Sequence, residues 1–202
     1  METLLQNLIA DKKNQGVDIT FFEAPKGDKK NSIIKKVPIK AVLTLSNNPD
    51  AVVVAMPDLY PYNRVFPHET YQQLEAGIKD IFLNEWKRIK GKKPDVRTAK
   101  RFFVFCFKHD LEALLLAAEE ALRSQLDVSR IKRSWKIPVE DQNEHTPPKY
   151  VIEKLFKTHN KKYKDTVDAP LILSKVSYQD LCEMCPQCFE PFVTFLENAK
   201  TV

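Results

Sequence analysis

Ala51-Val52-Val53-Val54-Ala55-Met56 is a run without a single polar side chain, set between Asn48-Pro49-Asp50 and Pro57-Asp58. A short apolar run bounded by turn residues predicts a strand buried on both faces, as in a parallel or mixed central sheet. Arg101-Phe102-Phe103-Val104-Phe105-Cys106-Phe107 predicts a second strand, rich in aromatic residues. Helical spacing fills the interval from about His68 to Lys90. It resumes from Asp110 to Leu126, with Leu111, Leu114, Leu115 and Leu122 on the inner side.

Upstream, residues 2–15 read as a helix, because Leu4, Leu5, Leu8 and Ile9 share one face and Gly16 stops it. Val17 to Glu23 alternates and predicts a strand. A polar loop follows from Lys26 to Asn31, then a helical stretch interrupted at Pro38. Downstream, Ile137 to Pro148 reads as a loop, and helices are expected roughly over 149–163, 177–184 and 187–199. Strands alternating with helices predict an α/β class with a helical C-terminal portion. The expected organisation is a single domain over 1–202, with an α/β core over 1–130 and a mainly helical portion over 131–202.

Composition bounds the function. With 202 residues, 43% of them hydrophobic and 29% charged, the chain is globular rather than disordered. No apolar run approaches the roughly 20 residues that a bilayer requires, so no membrane association is expected. The start, Met1-Glu2-Thr3-Leu4-Leu5, has neither the basic nor the long apolar region of a signal peptide. Four cysteines, three of them at 182, 185 and 188, do not resemble a secreted disulfide framework, and a cytoplasmic location is expected.

Asp58 is the first candidate site residue. It stands just past the carboxyl end of a buried strand, where ligands bind in open α/β sheets. A carboxylate there suits a hard cation such as Mg²⁺, with phosphate and water completing the shell. The plain alternative is a turn-forming Asp after Pro57. His109 and Glu112 lie past the next strand, on the same expected rim. Glu112 has an alternative role as a first-turn acid on a helix dipole, and Asp110 as the helix cap. Cys182, Cys185 and Cys188 supply three thiolates where a structural zinc needs four, so ordinary thiols near a helix start are the simpler reading.

Lys+Arg exceed Asp+Glu by 32 − 27 = 5, and the excess is clustered. Lys87 to Arg101 holds eight basic residues against one Asp, and Lys149 to Lys164 holds six lysines against Glu153. Lys26 to Lys40 holds six lysines against Asp28, and Arg130 to Lys136 four further basic residues. Converging clusters would make a phosphate-backbone surface, with Lys29, Arg64, Lys93 and Lys149 as its candidate contacts; the plain alternative is a set of solvated faces. Four glycines leave no room for a phosphate-binding glycine loop, and no serine occupies a nucleophile elbow.

Several motifs in order resemble one family. They are Val52 to Tyr60 with Phe66-Pro67-His68, then Phe103 to Leu116 with His109-Asp110-Leu111-Glu112. Pro147-Pro148-Lys149, Tyr163-Lys164, Ala169-Pro170-Leu171-Ile172 and Cys185-Pro186-Gln187-Cys188-Phe189 follow. Together they resemble the bacterial family of unknown function DUF4276, considered related to the Toprim fold. The resemblance implies a Toprim-like sheet flanked by helices and a Mg²⁺ or Mn²⁺ site. It also implies nuclease or phosphotransfer chemistry in phage defence or DNA maintenance, beside an ATPase of the AAA or ABC type. On that basis Asp58 is the main metal ligand, Glu112 assists, Glu2 is a further ligand, and His109 is an acid/base or phosphate contact.

The sequence departs from the Toprim pattern at two points. Tyr60 stands where the pattern has a second Asp, and no strand ending in Val-Glu-Gly precedes the first helix. These departures support a rival expectation, a catalytically degenerate subunit that recruits nucleic acid or the ATPase. An uncovered sheet edge would also permit homo-oligomers.

Overall fold

The two apolar runs pair side by side, and they run parallel. In the computed structural model, β1 (Val53–Ala55) and β2 (Phe102–Val104) align Val53 with Phe102 and Ala55 with Val104. Hydrogen bonding continues beyond both strands. Val53 N–H donates to Arg101 O at 3.0 Å, Phe105 N–H to Ala55 O at 2.9 Å, and Phe107 N–H to Pro57 O at 3.2 Å. The structure describes residues 1–22, 29–63, 65–142 and 145–200, with side chains of the second stretch from residue 33. Its class is α/β, as expected, but it is mostly helical, and among the described residues its sheet has these two strands rather than a larger central sheet.

Two compact units divide the chain. One spans Phe22–Phe107, and the other joins Met1–Phe21 to the chain from Lys108 onward. In the first, α2 (Lys29–Asn47) and α3 (Tyr71–Lys90) pack on each other, α2 against β1 and α3 against β2. Leu74, Ile78, Phe82 and Trp86 recur at helical spacing on the buried side of α3, and Phe82 stacks on Phe102 at 4.6 Å. Thr70 and Gln73 form a reciprocal capping box at the start of α3, and Gly91, at φ 74°, ends it. A one-turn helix, α4 (Val96–Ala99), capped by Asp95, leads into β2.

The second unit begins with α1 (Gln6–Asn14), continues with α5 (Glu112–Ala117) and α6 (Glu119–Leu126), and includes a 3₁₀ turn at Val139–Asp141. It ends with α7 (Pro148–Thr158), α8 (Asp165–Leu173), α9 (Tyr178–Met184) and α10 (Phe189–Glu197). Leu114, Leu115, Leu122, Ile152, Phe156 and Phe189 are at most 1% exposed and form its core. Lys12 ties α1 to this unit. Its buried ammonium donates to Ala199 O at 3.0 Å and to Glu197 O, carbonyls at the open end of α10.

Several expectations need correction. Val17 to Phe22 forms no strand, because Val17 N–H turns back to Lys12 O and, among the described residues, no strand pairs with the segment; Glu23 lies outside the described residues. The helical stretch at Pro38 is continuous, since packing of α2 on α3 and β1 outweighs a proline penalty of about 3 kcal/mol. The helix expected over 110–126 breaks at Ala118, with φ −83° and ψ 49°. The loop expected over 137–148 carries the 3₁₀ turn, and α8 arises where no helix is predicted, despite an internal Pro170.

Candidate functional site

In the Phe22–Phe107 unit, Asp58 is half-buried just beyond β1 and bridges in parallel to Phe107. The loop behind it is held by Asn63 and His68. Asn63 Oδ1 accepts the N–H groups of Val65 at 2.7 Å and Phe66 at 3.1 Å. Its amide nitrogen donates to His68 Nδ1 at 2.8 Å, so the proton sits on Nε2, which donates to Leu59 O at 3.1 Å. Phe66 lies over Gly77, where any Cβ would come within 2.3 Å of its ring. Phe66-Pro67-His68 therefore builds the wall of this loop.

The opposite end of the same sheet is basic. Arg101 stands just before β2, and its guanidinium donates to Asn48 O at 2.9 Å, Ala51 O at 3.0 Å and Leu45 O at 3.1 Å. These contacts fasten the last turn of α2 to the start of the sheet. Lys87, Lys90, Lys92, Lys93, Arg97 and Lys100 are exposed in the stretch that leads from the last turn of α3 to it.

In the other unit, α5 and α7 meet around two acids. Glu112 is 7% exposed, and its Oε1 accepts the Tyr163 hydroxyl at 3.2 Å. Lys149 Nζ lies 3.8 Å from the same oxygen and 3.5 Å from Asp165 Oδ2. Asp110 Oδ2 accepts Lys149 N–H at 3.3 Å, which caps the start of α7. Its Oδ1 is buried with no hydrogen bond among the described residues. Burial first, and then the charge of Glu112, push the Asp110 carboxyl up to about 7, against the pull of the Lys149 and Glu112 amides. Burial and then Glu112 push the Tyr163 phenol upward as well. Burial pulls Lys149 down, yet Glu112 and then Asp165 outweigh it and leave the ammonium raised.

A third acid completes this unit. Glu140, 4% exposed, accepts Gln187 N–H at 2.6 Å on Oε2, and Cys188 N–H at 2.8 Å and Phe189 N–H at 3.2 Å on Oε1. These are the unpaired donors that open α10, neutralised by a carboxylate from the 3₁₀ turn. Lys108 supports the arrangement by donating to Asp141 at 2.9 Å and Gln187 at 3.0 Å.

Asp58 thus lies in one unit, and Glu2, His109 and Glu112 in the other. Glu2 is exposed in the turn before α1, and His109 is 6% exposed. Lys93 is exposed, whereas Lys149 is drawn to Glu112 and Asp165. Arg64 and the side chain of Lys29 lie outside the described residues. Cys185 is fully buried, with its thiol pushed up by burial and then by Glu140. Burial, then Glu197, raise Cys182 to about 11. Among the described residues, no group of three or more His, Cys, Asp or Glu stands where it could hold a metal ion.

Residues 2–197 match the family described as Domain of unknown function (DUF4276). The chain belongs to that family. Comparison with curated proteins and with solved structures finds no match. Many of the residues that carry the DUF4276 resemblance prove to be packing and capping groups. Phe66 and His68 shape a loop, Pro148 starts α7, Tyr163 bonds Glu112, and Gln187 to Phe189 receive Glu140. Glu140 itself had no signal in the sequence, being one acid in a Pro-containing loop far along the chain from its partners. No helix of the described chain is long and apolar enough to cross a membrane.

Proposed function

We propose that this DUF4276 member is a binding subunit, of Toprim-like descent, that does not itself hydrolyse phosphodiesters. Its setting on this reading is a bacterial phage-defence or DNA-maintenance assembly, in which it works beside an AAA- or ABC-type ATPase. One observation carries the reading: the oxygen of Glu112 nominated for Mg²⁺ already faces the Tyr163 hydroxyl and the Lys149 ammonium. A cation binding there would have to displace both and meet the positive charge of Lys149 within a few ångströms. The donor set Asp58, Glu112 and Glu2 therefore does not fit the ion. Glu112 instead joins α5 to α7 and to the residues leading into α8.

Incubation of the protein with single- and double-stranded DNA and RNA, in Mg²⁺ or Mn²⁺, tests the proposal. The expected result is intact substrate, while Glu112→Gln lowers stability by about 1–3 kcal/mol through loss of a buried charged partner. Metal-dependent cleavage that disappears in Asp58→Ala would overturn it. That outcome would establish the second reading, a Mg²⁺-dependent nuclease, which the place of Asp58 at the carboxyl end of β1 favours.

A further inference from the structure

We infer that the Phe22–Phe107 unit docks the phosphate backbone of nucleic acid at the amino end of its sheet, across the last turn of α3, the following turn, and α4. The inference rests on the binding-subunit reading and names both its partner and the surface.

Charge is the first ground. Lys87, Lys90, Lys92, Lys93, Arg97 and Lys100 are all exposed, and none makes an ion pair among the described residues. Arg88 is the exception, closed onto Glu85 at 2.6 Å. Asp95, the one acid within the span, turns its carboxylate onto Thr98 N–H at 2.7 Å and the Thr98 hydroxyl at 3.1 Å. Its charge is directed into the cap of α4 rather than toward the lysines. The lysine cluster on α7 is different, because Glu153, Asp165 and Asp168 lie among or beside its cations and Lys149 is already paired.

Shape is the second ground. Gly91, at φ 74°, turns the chain at the end of α3, and α4 is only one turn long, so the six cations fall within at most about 30 Å of one another along the chain path. Arg101 anchors the end of α4 to the last turn of α2 through its bonds to Leu45, Asn48 and Ala51 and to the Thr98 hydroxyl. A duplex presents one phosphate charge per about 1.7 Å of axis, so this span meets several phosphates at once. No aromatic side chain lies between Lys87 and Lys100, which leaves phosphate contact without base stacking, and hence little sequence preference.

The surface is also separate from the Asp58 rim. Five ladder steps from Val53 to Asp58, at about 3.3 Å each, put the two ends of the sheet about 17 Å apart. The basic residues thus hold a strand away from Asp58 rather than steady charge beside it.

Fluorescence anisotropy of a labelled 20-base-pair DNA duplex, in EDTA and over 50–200 mM salt, tests the inference on the full chain. About five phosphate contacts predict a log–log salt slope near −4.5, or about a 500-fold loss of affinity across that range. Lys92→Ala with Lys93→Ala should make the slope shallower by about 1.8, while Lys154→Ala with Lys157→Ala should leave it unchanged. Two results would overturn the inference: no salt-sensitive binding at 50 mM, or the α7 pair losing as much as the Lys92 and Lys93 pair. Because EDTA removes cleavage from this assay, a failure here leaves the non-hydrolytic reading standing. Cleavage in the metal assay would defeat that reading without moving the docking surface.

Discussion

Replacing Glu140 probes how far a single internal carboxylate supports the C-terminal helices. Glu140→Ala would leave the N–H groups of Gln187, Cys188 and Phe189 without their acceptor, next to the fully buried side chains of Cys185 and Phe189. Each orphaned buried donor costs about 1–3 kcal/mol, and the loss of a negative charge at a helix start adds up to about 1 kcal/mol. Gln187 is exposed and Cys188 half-buried, so water can replace part of the loss, and the net expectation is about 3–5 kcal/mol. Glu140→Gln keeps one oxygen for two amides but sets an NH₂ against the third, for about 2 kcal/mol.

Urea unfolding followed by tryptophan fluorescence reads this out. Trp135 lies in the same unit as Glu140 and Trp86 in the other, so single-tryptophan versions report each unit separately. The Trp135 transition should move to lower urea and the order Glu > Gln > Ala should hold. A loss below about 1 kcal/mol for Glu140→Ala would refute the reasoning, since three charge-assisted bonds to one buried carboxylate, the one to Phe189 itself buried, cannot be that weak.

Three further outcomes follow from the geometry. Gly77→Ala drives a methyl into the Phe66 ring and should cost about 1–3 kcal/mol, and Phe66→Leu in the same chain should recover part of it; a neutral Gly77→Ala in thermal melts would refute the contact. Arg101→Met should destabilise the Phe22–Phe107 unit by about 2–4 kcal/mol, read by Trp86, because three carbonyls lose a charged donor. Asp110 has a folded pKa of about 7, above its unfolded value, so the folded state holds the extra proton between them. Its contribution to stability is present below about pH 4 and is lost as pH rises toward 7. The melting temperature of the wild type minus that of Asp110→Asn should therefore fall between pH 5 and 8, and a difference flat with pH would contradict the raised pKa.

The sequence by itself determined the class, the two strands and most helices, because apolar runs and helical periodicity are local patterns; burial of β1 on both faces did not follow, since Val53 and Val54 are only half-buried and Val52 is exposed. Ala51 to Met56 and Leu74, Ile78, Phe82 and Trp86 carry that signal without help from distant residues. It also determined the family and the density of basic charge from Lys87 to Arg101. Tertiary structure alone decided which charges are spent. Nothing local distinguishes Lys149, drawn onto Glu112 and Asp165, from Lys93, left in solvent, or Glu140, under three amides, from any loop acid. Val17 to Phe22 shows the same limit from the other side. Its residues suit a strand, but a strand exists only where a neighbouring edge offers hydrogen bonds, and pairing is a property of two segments rather than one.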